Sequence, residues 1–273
     1  MYFMVTLDQP DWYAVTEMVD RFRSEMTEAI DSTRGHIDLI EATITRHQAS
    51  DTAEQLGKRV KNFSRLISIH MERTARLMEM LERLEHIRTG KVRDTLRQQQ
   101  RKLDIADFLE DFVEELDEIQ LLDPETEKQN IRSRVKVDTP DGVYAFASAS
   151  YLRRILQDML RNAIMYSLKA TPIKITVEAK QHGIQINMQD EGYGIRDSEY
   201  DRVFAPFSRA RQPQIIGEFG YGLSLYLCKH EVEAMNGRMW FDSRENVGTT
   251  FSIMLPLWRD SNSTSSSSTT SKA

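Results

Sequence analysis

Three glycine-bearing loops follow one another in the second half of this chain, and they constrain its fold more than any other feature. They read DEGYGI at 190–195, GEFGYGL at 217–223 and GTTF at 248–251. Glycine accepts positive φ and lets a backbone approach an anion closely, so that its N–H groups can point at phosphate oxygens. A single glycine pair would be weak evidence, because ordinary turns also use glycine. An amphipathic helix pattern at 152–167 precedes the loops and carries Asn162 on its polar side. The four elements in this order indicate a nucleotide pocket.

The first part of the chain is predicted to form two long amphipathic helices. Apolar residues recur at spacings of three and four over 11–48 and again along a second segment that ends near Arg88. The first stripe consists of Val15, Val19, Phe22, Met26, Ala29, Thr33, Ile37, Ile40 and Ile44. One hairpin cannot bury two such seams, so we expect a second copy of the chain to complete a four-helix bundle. The sequence therefore predicts a homodimer.

The fold class predicted for the whole chain is α+β. An N-terminal antiparallel helical hairpin at 11–90 is followed by a polar connector at 91–102. Strand and helix patterns alternate over 103–258, which predicts an α/β two-layer sandwich domain. Residues 1–10 are expected to be a short N-terminal segment, and the Ser/Thr-rich residues 259–273 a disordered tail.

Composition argues against several classes of protein. The sequence has no run of 18 apolar residues and no basic region followed by an apolar core, so neither a membrane span nor a secretory signal is expected. The single cysteine, Cys228, offers no disulfide or metal framework and is expected to be a small buried residue. A net charge of −6 argues against a nucleic-acid surface. We therefore predict a cytoplasmic location.

The order of these motifs resembles the nucleotide-binding domain of two-component histidine kinases, in the ATPase superfamily that also includes gyrase and serine-kinase anti-sigma factors. The resemblance covers residues 10–258 and is most specific from 150 onward, where the N, G1, F and G2 boxes can be read in order. The F box is VFAPFSRA at 203–210. The resemblance implies an ATP-dependent phosphotransferase that binds ATP and Mg²⁺. It also implies a mobile lid at about 208–219 that closes on the nucleotide.

The resemblance assigns roles to individual residues of the pocket. Asn162 would be the Mg²⁺ ligand, and Asp190 would hydrogen-bond the amino group of adenine. The other residues implied for ATP binding are Tyr166, Gly192, Gly194, Ile195, Phe207, Arg209, Gly217, Gly220, Gly222, Leu223 and Thr249.

The phosphoacceptor position departs from the family's pattern. That pattern, H-E-L-R-T-P-L followed by S-I-R-G-Y, aligns without gaps with SEMTEAIDSTRGH at 24–36. Glu25 matches, but Ser24 takes the place of the acceptor histidine and Glu28 that of the threonine. A serine hydroxyl lacks the titratable nitrogen that makes imidazole a phosphoryl carrier near neutral pH. In this register ordinary histidine autophosphorylation is absent, and Glu28 also puts the family's phosphatase activity in doubt.

His36 is the rival acceptor, since it leaves a more ordinary distance to the second helix. Phe22, Ala29 and His36 are seven residues apart, which places His36 on the stripe that faces the bundle. An acceptor must face solvent and the ATP-binding domain, and Ser24 lies two residues off that stripe. We therefore expect His36 to be a packed, hydrogen-bonded histidine rather than the acceptor.

The N box differs from the family at two further positions. Met165 replaces a lysine that often approaches the phosphates, which is expected to weaken binding or slow transfer. Asp158 stands where the gyrase and anti-sigma branches have a glutamate that activates water or a serine hydroxyl. Asp158 and Asn162 are four residues apart and share a helix face, so Asp158 is a candidate general base. The alternatives are a group that orients Asn162 and a solvated helix residue.

The sequence predicts an ATP-binding, histidine-kinase-type signalling protein that passes a phosphoryl group from ATP to its dimerisation helix and on to a response regulator. Two alternatives stay open. One is a degenerate kinase that signals through ATP binding and dimerisation, and the other is a hydroxyl-directed kinase or ATPase that uses Asp158. Because residues 1–10 are too short for a sensor domain, we expect either a separate sensor or input protein or a chain that is a fragment of a longer one.

Overall fold

The computed structural model separates the chain into two compact units, which divide inside the second helix between Leu81 and Glu82. The residues described are 12–45, 53–116, 131–167, 171–208 and 221–259.

The first unit contains the predicted helical hairpin. Helix α1 spans Trp12–Thr45, and helix α2 spans Ala53–Arg88. The α2 residue Ile69 is 4% exposed, whereas Ile37 and Ile44 of the predicted α1 stripe are 44% and 56% exposed. Within the described part of the chain, no helix has the length and apolar character needed to cross a bilayer. The predicted N-terminal segment at 1–10 lies outside the described residues.

The segment predicted as a polar connector contains a helix, which corrects that prediction. Helix α3 spans Lys91–Gln99 and buries Val92 and Leu96 against the core of the second unit. These two apolar residues are one helical turn apart, so they share a face, while the charged residues between them face solvent. Two apolar residues are too few to produce a periodic signal, and the segment therefore reads as polar.

The second unit is built on a five-stranded sheet with strand order β2-β4-β5-β7-β6. Strands β2 and β4 are parallel, and the other neighbours in this sheet are antiparallel. A separate antiparallel pair joins β1 and β3. The remaining helices and the strands of this unit are β1 (Arg101–Asp104), α4 (Ile105–Glu114), β2 (Val135–Asp138), β3 (Tyr144–Ala147), α5 (Ala149–Tyr166), β4 (Ile173–Lys180), β5 (Gly183–Gln189), α6 (Ser224–Ala234), β6 (Arg238–Arg244) and β7 (Gly248–Leu255).

Helices α5 and α6 cover one face of this sheet, so the predicted two-layer sandwich and the α+β class are confirmed. Alternation along β5 shows the two faces: Ile184 and Ile186 are fully buried, while Gln185 and Asn187 point to the opposite side. Cys228, on α6, is fully buried, as expected for a small apolar residue. The predicted tail lies outside the described residues from residue 260 onward.

Candidate nucleotide site

Asp190 lies immediately after β5, where the chain leaves the centre of the sheet. Its backbone N–H donates to the carbonyl of Thr249 on β7 at 2.9 Å. Its Oδ1 atom accepts from the N–H of Gly192 at 2.9 Å and from the N–H of Thr249 at 3.3 Å. Only 5% of Asp190 is exposed. The carboxylate is therefore fixed by backbone donors from two of the three glycine-bearing loops.

Burial changes the acidity of this carboxylate. Removal from water raises the pKa of Asp190 from 3.8 to about 6, and the hydrogen bonds from Thr249 and Gly192 oppose that rise only in part. An acid held in this way is suited to accept a hydrogen bond from a ligand's amino group, because such a bond would restore some of the lost solvation.

The first glycine loop is pressed against neighbouring backbone at two points. A Cβ built on Gly192 would lie 2.1 Å from the carbonyl oxygen of Tyr166, and one on Gly194 would lie 2.0 Å from that of Arg244. Gly194 also has a φ of +62°, a conformation that favours glycine. The N–H of Tyr193 donates to the carbonyl of Tyr166 at 3.0 Å. The loop is thus held between the end of α5 and the β6–β7 turn.

Ser243 on β6 holds the same loop and was missed by the sequence reasoning. Its hydroxyl accepts from the N–H of Ile195 at 2.8 Å. It also lies 2.8 Å from Thr249 Oγ1 and 3.1 Å from the carbonyl of Gly248, and its single proton can go to one of these oxygens at a time. A serine inside a strand carries no spacing signal. Its position opposite Thr249 is a property of the β6–β7 register.

The F box, predicted at 203–210, approaches the second glycine loop. Gly222 has a φ of +67°, and a Cβ built on it would lie 2.6 Å from the carbonyl oxygen of Ser208. Phe207 has a φ of +56°, an uncommon value for a residue with a Cβ. Leu223 is fully buried directly before α6. The other residues predicted for this part of the pocket, Arg209, Gly217 and Gly220, lie outside the described residues, as does the predicted lid apart from Ser208.

Asn162 and Tyr166 occupy the last two turns of α5 and are both partly exposed. They are four residues apart and so share a helix face. Since the carbonyl of Tyr166 binds the first glycine loop, this face ends beside Gly192 and Asp190. The residues present fit a nucleotide with Mg²⁺: a buried acceptor carboxylate, a backbone cradle that a Cβ would obstruct, and an amide oxygen of the kind that Mg²⁺ accepts.

Comparison with known proteins agrees with this geometry. Residues 147–259 match the family model of the histidine kinase-, DNA gyrase B- and HSP90-like ATPases. The chain is 26% identical over 211 residues to the adaptive-response sensory kinase SasA of Prochlorococcus marinus strain MIT 9313, covering 76% of this chain and 53% of that protein. It is 33% identical over 133 residues to SasA of strain AS9601, covering 47% and 35% respectively.

Residues 147–259 thus match an ATPase domain of the kind shared by histidine kinases, DNA gyrase B and HSP90. The chain spans about half the length, or less, of these curated relatives. Among solved structures, the Acinetobacter baumannii histidine kinase AdeS has the same fold, with a TM-score of 0.54 at 19% identity. That likeness covers 85% of this chain and 97% of the AdeS chain.

The structure places Asp158 away from solvent. Asp158 is 2% exposed, and its Oδ2 accepts from Arg83 Nη1 at 2.7 Å. The Cys228 sulfur lies 3.7 Å from the same oxygen. A general base needs access to the proton that it removes. These surroundings do not fit the predicted role in activating water or a hydroxyl, nor the alternative of a solvated helix residue.

The two candidate acceptors lie in different environments on α1. Ser24 is exposed, as is Glu28 one turn later. His36 is partly buried, and its Nδ1 donates to the carbonyl of Ser32 at 2.7 Å. Its ring stacks on His70 of α2, with centroids 5.5 Å apart. Glu25, the other predicted residue of this motif, also lies in α1. His36 is therefore a packed, hydrogen-bonded side chain in this conformation.

Proposed function

We propose that this chain is an ATP-binding, histidine-kinase-type signalling protein of a two-component pathway, in which the γ-phosphoryl of ATP passes to the dimerisation helix and then to a response regulator. The observation that carries the proposal is the fixed, buried carboxylate of Asp190 between the backbones of Gly192 and Thr249. A carboxylate beside glycine-lined backbone is complementary to a ligand that joins an amino-bearing base to phosphates.

In this proposal Asp190 accepts a hydrogen bond from the adenine amino group, and Asn162 supplies an oxygen ligand to Mg²⁺. The ion, when bound with ATP, neutralises charge on the phosphates during transfer. The backbone from Gly192 to Ile195 lines the pocket beside the base, and Ser243 keeps that backbone in place through the N–H of Ile195.

We propose that a second copy of the chain completes the helical bundle. Apolar side chains remain exposed at heptad spacing on α1 (Ile30, Ile37 and Ile44). The same spacing recurs on α2 at Met71 and Met78. Sedimentation equilibrium of Ile37→Asp should shift the mass toward a monomer, because a charge in an apolar seam opposes association. Val247→Asp, a change at an exposed apolar residue outside the hairpin, is the control and should not alter the mass.

The proposed partner is a response regulator. In the family a regulator is presented with the phosphoryl group at the first helix of the bundle, which is α1 here. The cytoplasmic location stays a prediction.

A degenerate kinase is the second candidate, and it rests on the two residues considered as acceptors. In the aligned register Ser24 takes the acceptor position, and the partly buried His36 ring stacks on His70. Incubation of the pure chain with γ-labelled ATP, followed by acid treatment, separates the candidates. Acid-labile label that disappears in His36→Ala supports transfer to histidine. Acid-stable label that disappears in Ser24→Ala supports a hydroxyl-directed kinase, and nucleotide binding with neither label nor hydrolysis supports the degenerate kinase.

The pocket itself has a simpler test. A ligand that binds only the folded state raises its apparent stability. We expect the thermal unfolding midpoint to rise with ADP or ATP in the presence of Mg²⁺. Absence of any rise at millimolar nucleotide would contradict the proposed function.

A further inference from the structure

Arg83 is a buried cation in the last two turns of α2, within the second compact unit. Its side chain is 4% exposed. Nε and Nη2 donate to the two carboxylate oxygens of Glu231 at 3.0 and 2.9 Å, and Nη1 donates to Asp158 Oδ2 at 2.7 Å. One guanidinium therefore binds carboxylates from two different helices, α5 and α6. The fork geometry suits arginine, since lysine presents a single point of charge.

Further contacts complete this cluster. Arg154 Nη2 donates to Glu231 Oε1 at 2.7 Å, and Arg161 Nη1 lies 3.6 Å from Asp158 Oδ1. Burial opposes the charge on Arg83, but the attraction of Asp158 and Glu231 is stronger and raises its pKa. The cation is thus permanent. Removing it alone would leave two buried carboxylates short of their partner, which is strongly destabilising.

The two helices joined by Arg83 flank the nucleotide site. Asp158 is one turn before Asn162 on α5, and the carbonyl of Tyr166 at the end of that helix binds the first glycine loop. Glu231 is on α6, which begins at Ser224 directly after Gly222 and Leu223. A side chain that joins these helices restrains the part of α5 that carries Asn162.

We propose that Arg83 is a positioning residue for the nucleotide site, which acts by binding Asp158 and Glu231 together and so orients Asn162 toward bound Mg²⁺. This inference rests on the proposed function. A purely stabilising role is the competing explanation. Buried ion clusters can often be replaced by apolar residues of similar volume without loss of stability, so stability alone gives little reason for such a cluster.

The test separates positioning from stability. The triple variant Arg83→Met, Asp158→Leu, Glu231→Met removes all three charges together and retains volume, so it should fold even where Arg83→Met alone is too destabilised to do so. Arg83→Lys retains the charge without the fork. Arg88→Gln is the matched control, because Arg88 lies on the same helix in an exposed pair with Glu85. Affinity for ADP is measured for each folded variant by calorimetry, with Mg²⁺ and with EDTA.

We expect the triple variant to bind Mg²⁺ and ADP at least about tenfold more weakly, a change of about 1.4 kcal/mol. Its affinity in EDTA should change much less, since that measurement does not depend on Asn162. Arg83→Lys should fall between the triple variant and the parent, and Arg88→Gln should match the parent. A folded triple variant with the parent's response to Mg²⁺ overturns the inference. If the triple variant does not fold, Arg83→Lys decides in the same way by its own response to Mg²⁺.

The parent chain distinguishes failure of the inference from failure of the proposed function. A parent that binds neither ADP nor ATP contradicts the proposed function, and the inference falls with it. A parent that binds ADP without any effect of Mg²⁺ leaves the pocket intact but contradicts the inference, because Asn162 would then orient no ion.

Discussion

Asp190 and Thr249 form two hydrogen bonds with each other where β5 and β7 lie side by side. The N–H of Asp190 donates to the carbonyl of Thr249 at 2.9 Å, and the N–H of Thr249 donates to Oδ1 of Asp190 at 3.3 Å. The carboxylate is thus held both by the β7 backbone at Thr249 and by the N–H of Gly192 in its own loop. A ligand that meets this carboxylate finds a group whose position is fixed before binding, which reduces the entropy lost on association.

Asp190→Asn should separate ligand binding from stability. The amide oxygen can still accept from Gly192 and Thr249, while the charge that burial disfavours is removed. At pH 7 we expect the free energy of unfolding to rise by about 1–3 kcal/mol. ADP affinity should fall by about ten- to a hundredfold, the usual worth of a hydrogen bond to a charged group. Urea denaturation and calorimetry measure the two effects. Asp242→Asn, at an exposed position on β6, should change neither, and a loss of stability in Asp190→Asn would contradict the prediction.

The pH dependence follows from the same group. The folded pKa of about 6 lies above the ordinary 3.8, so the folded chain takes up a proton between these values. The contribution of Asp190 to stability is therefore most favourable below about pH 4, falls as the pH rises to 6, and is constant above that. Nucleotide affinity should instead increase with pH over this range, because binding needs the ionised carboxylate. The ratio of parent to Asp190→Asn affinity should fall about tenfold from pH 7 to pH 5. A flat ratio would contradict the assignment.

Ser243→Ala tests the support beneath the first glycine loop. The change removes the acceptor for the N–H of Ile195 and the contact with Thr249 Oγ1. We expect a loss of about 1–2 kcal/mol in unfolding free energy and a fall of several-fold in ADP affinity. Ser252→Ala is the control, since the Ser252 hydroxyl donates to Asn187 Oδ1 at 2.8 Å elsewhere on the same sheet. It should lower stability without lowering affinity. Equal affinities for the two variants would show that Ser243 does not position the loop.

Gly194→Ala tests the close approach of the loop to the β6–β7 turn. The new Cβ would meet the backbone oxygen of Arg244 at 2.0 Å, and φ at this position is +62°. Backbone cannot move aside as a flexible side chain can, so we expect a loss of more than about 3 kcal/mol. Gly57→Ala is the opposite case, because Gly57 lies in α2 and an added Cβ would meet no atom within 4 Å apart from its own stretch of helix backbone and its two chain neighbours. That change should raise stability by about 0.5–1 kcal/mol. Thermal unfolding of both variants provides the comparison, and a neutral Gly194→Ala would contradict the tight packing of this loop against the turn.

The order of the elements and the pocket motifs follow from local sequence. The periodicity of α1 and α2, the alternation along β5 and the glycines at 192, 194 and 222 are local signals, and each reflects a local requirement of helix, strand or backbone conformation. The role of Asp190 as a site residue was implied by the resemblance to the histidine-kinase motifs, and not by a local signal. The helix α3 escaped detection because two buried residues, Val92 and Leu96, make no period.

Contacts between side chains that are distant in sequence depend on the three-dimensional packing alone. Ser243 contacts Ile195 from 48 residues away, and Arg83 binds Asp158 from 75 residues away. The spacing of Asp158 and Asn162 on one helix was compatible with a general base, a group that orients Asn162 or a solvated residue. It gave no information about the Arg83 cation, which comes from α2. Burial and ion pairing depend on the packing of whole elements. The burial of the Asp158 carboxylate and its pairing with Arg83 therefore follow from the tertiary structure, and the N-box motif does not contain them.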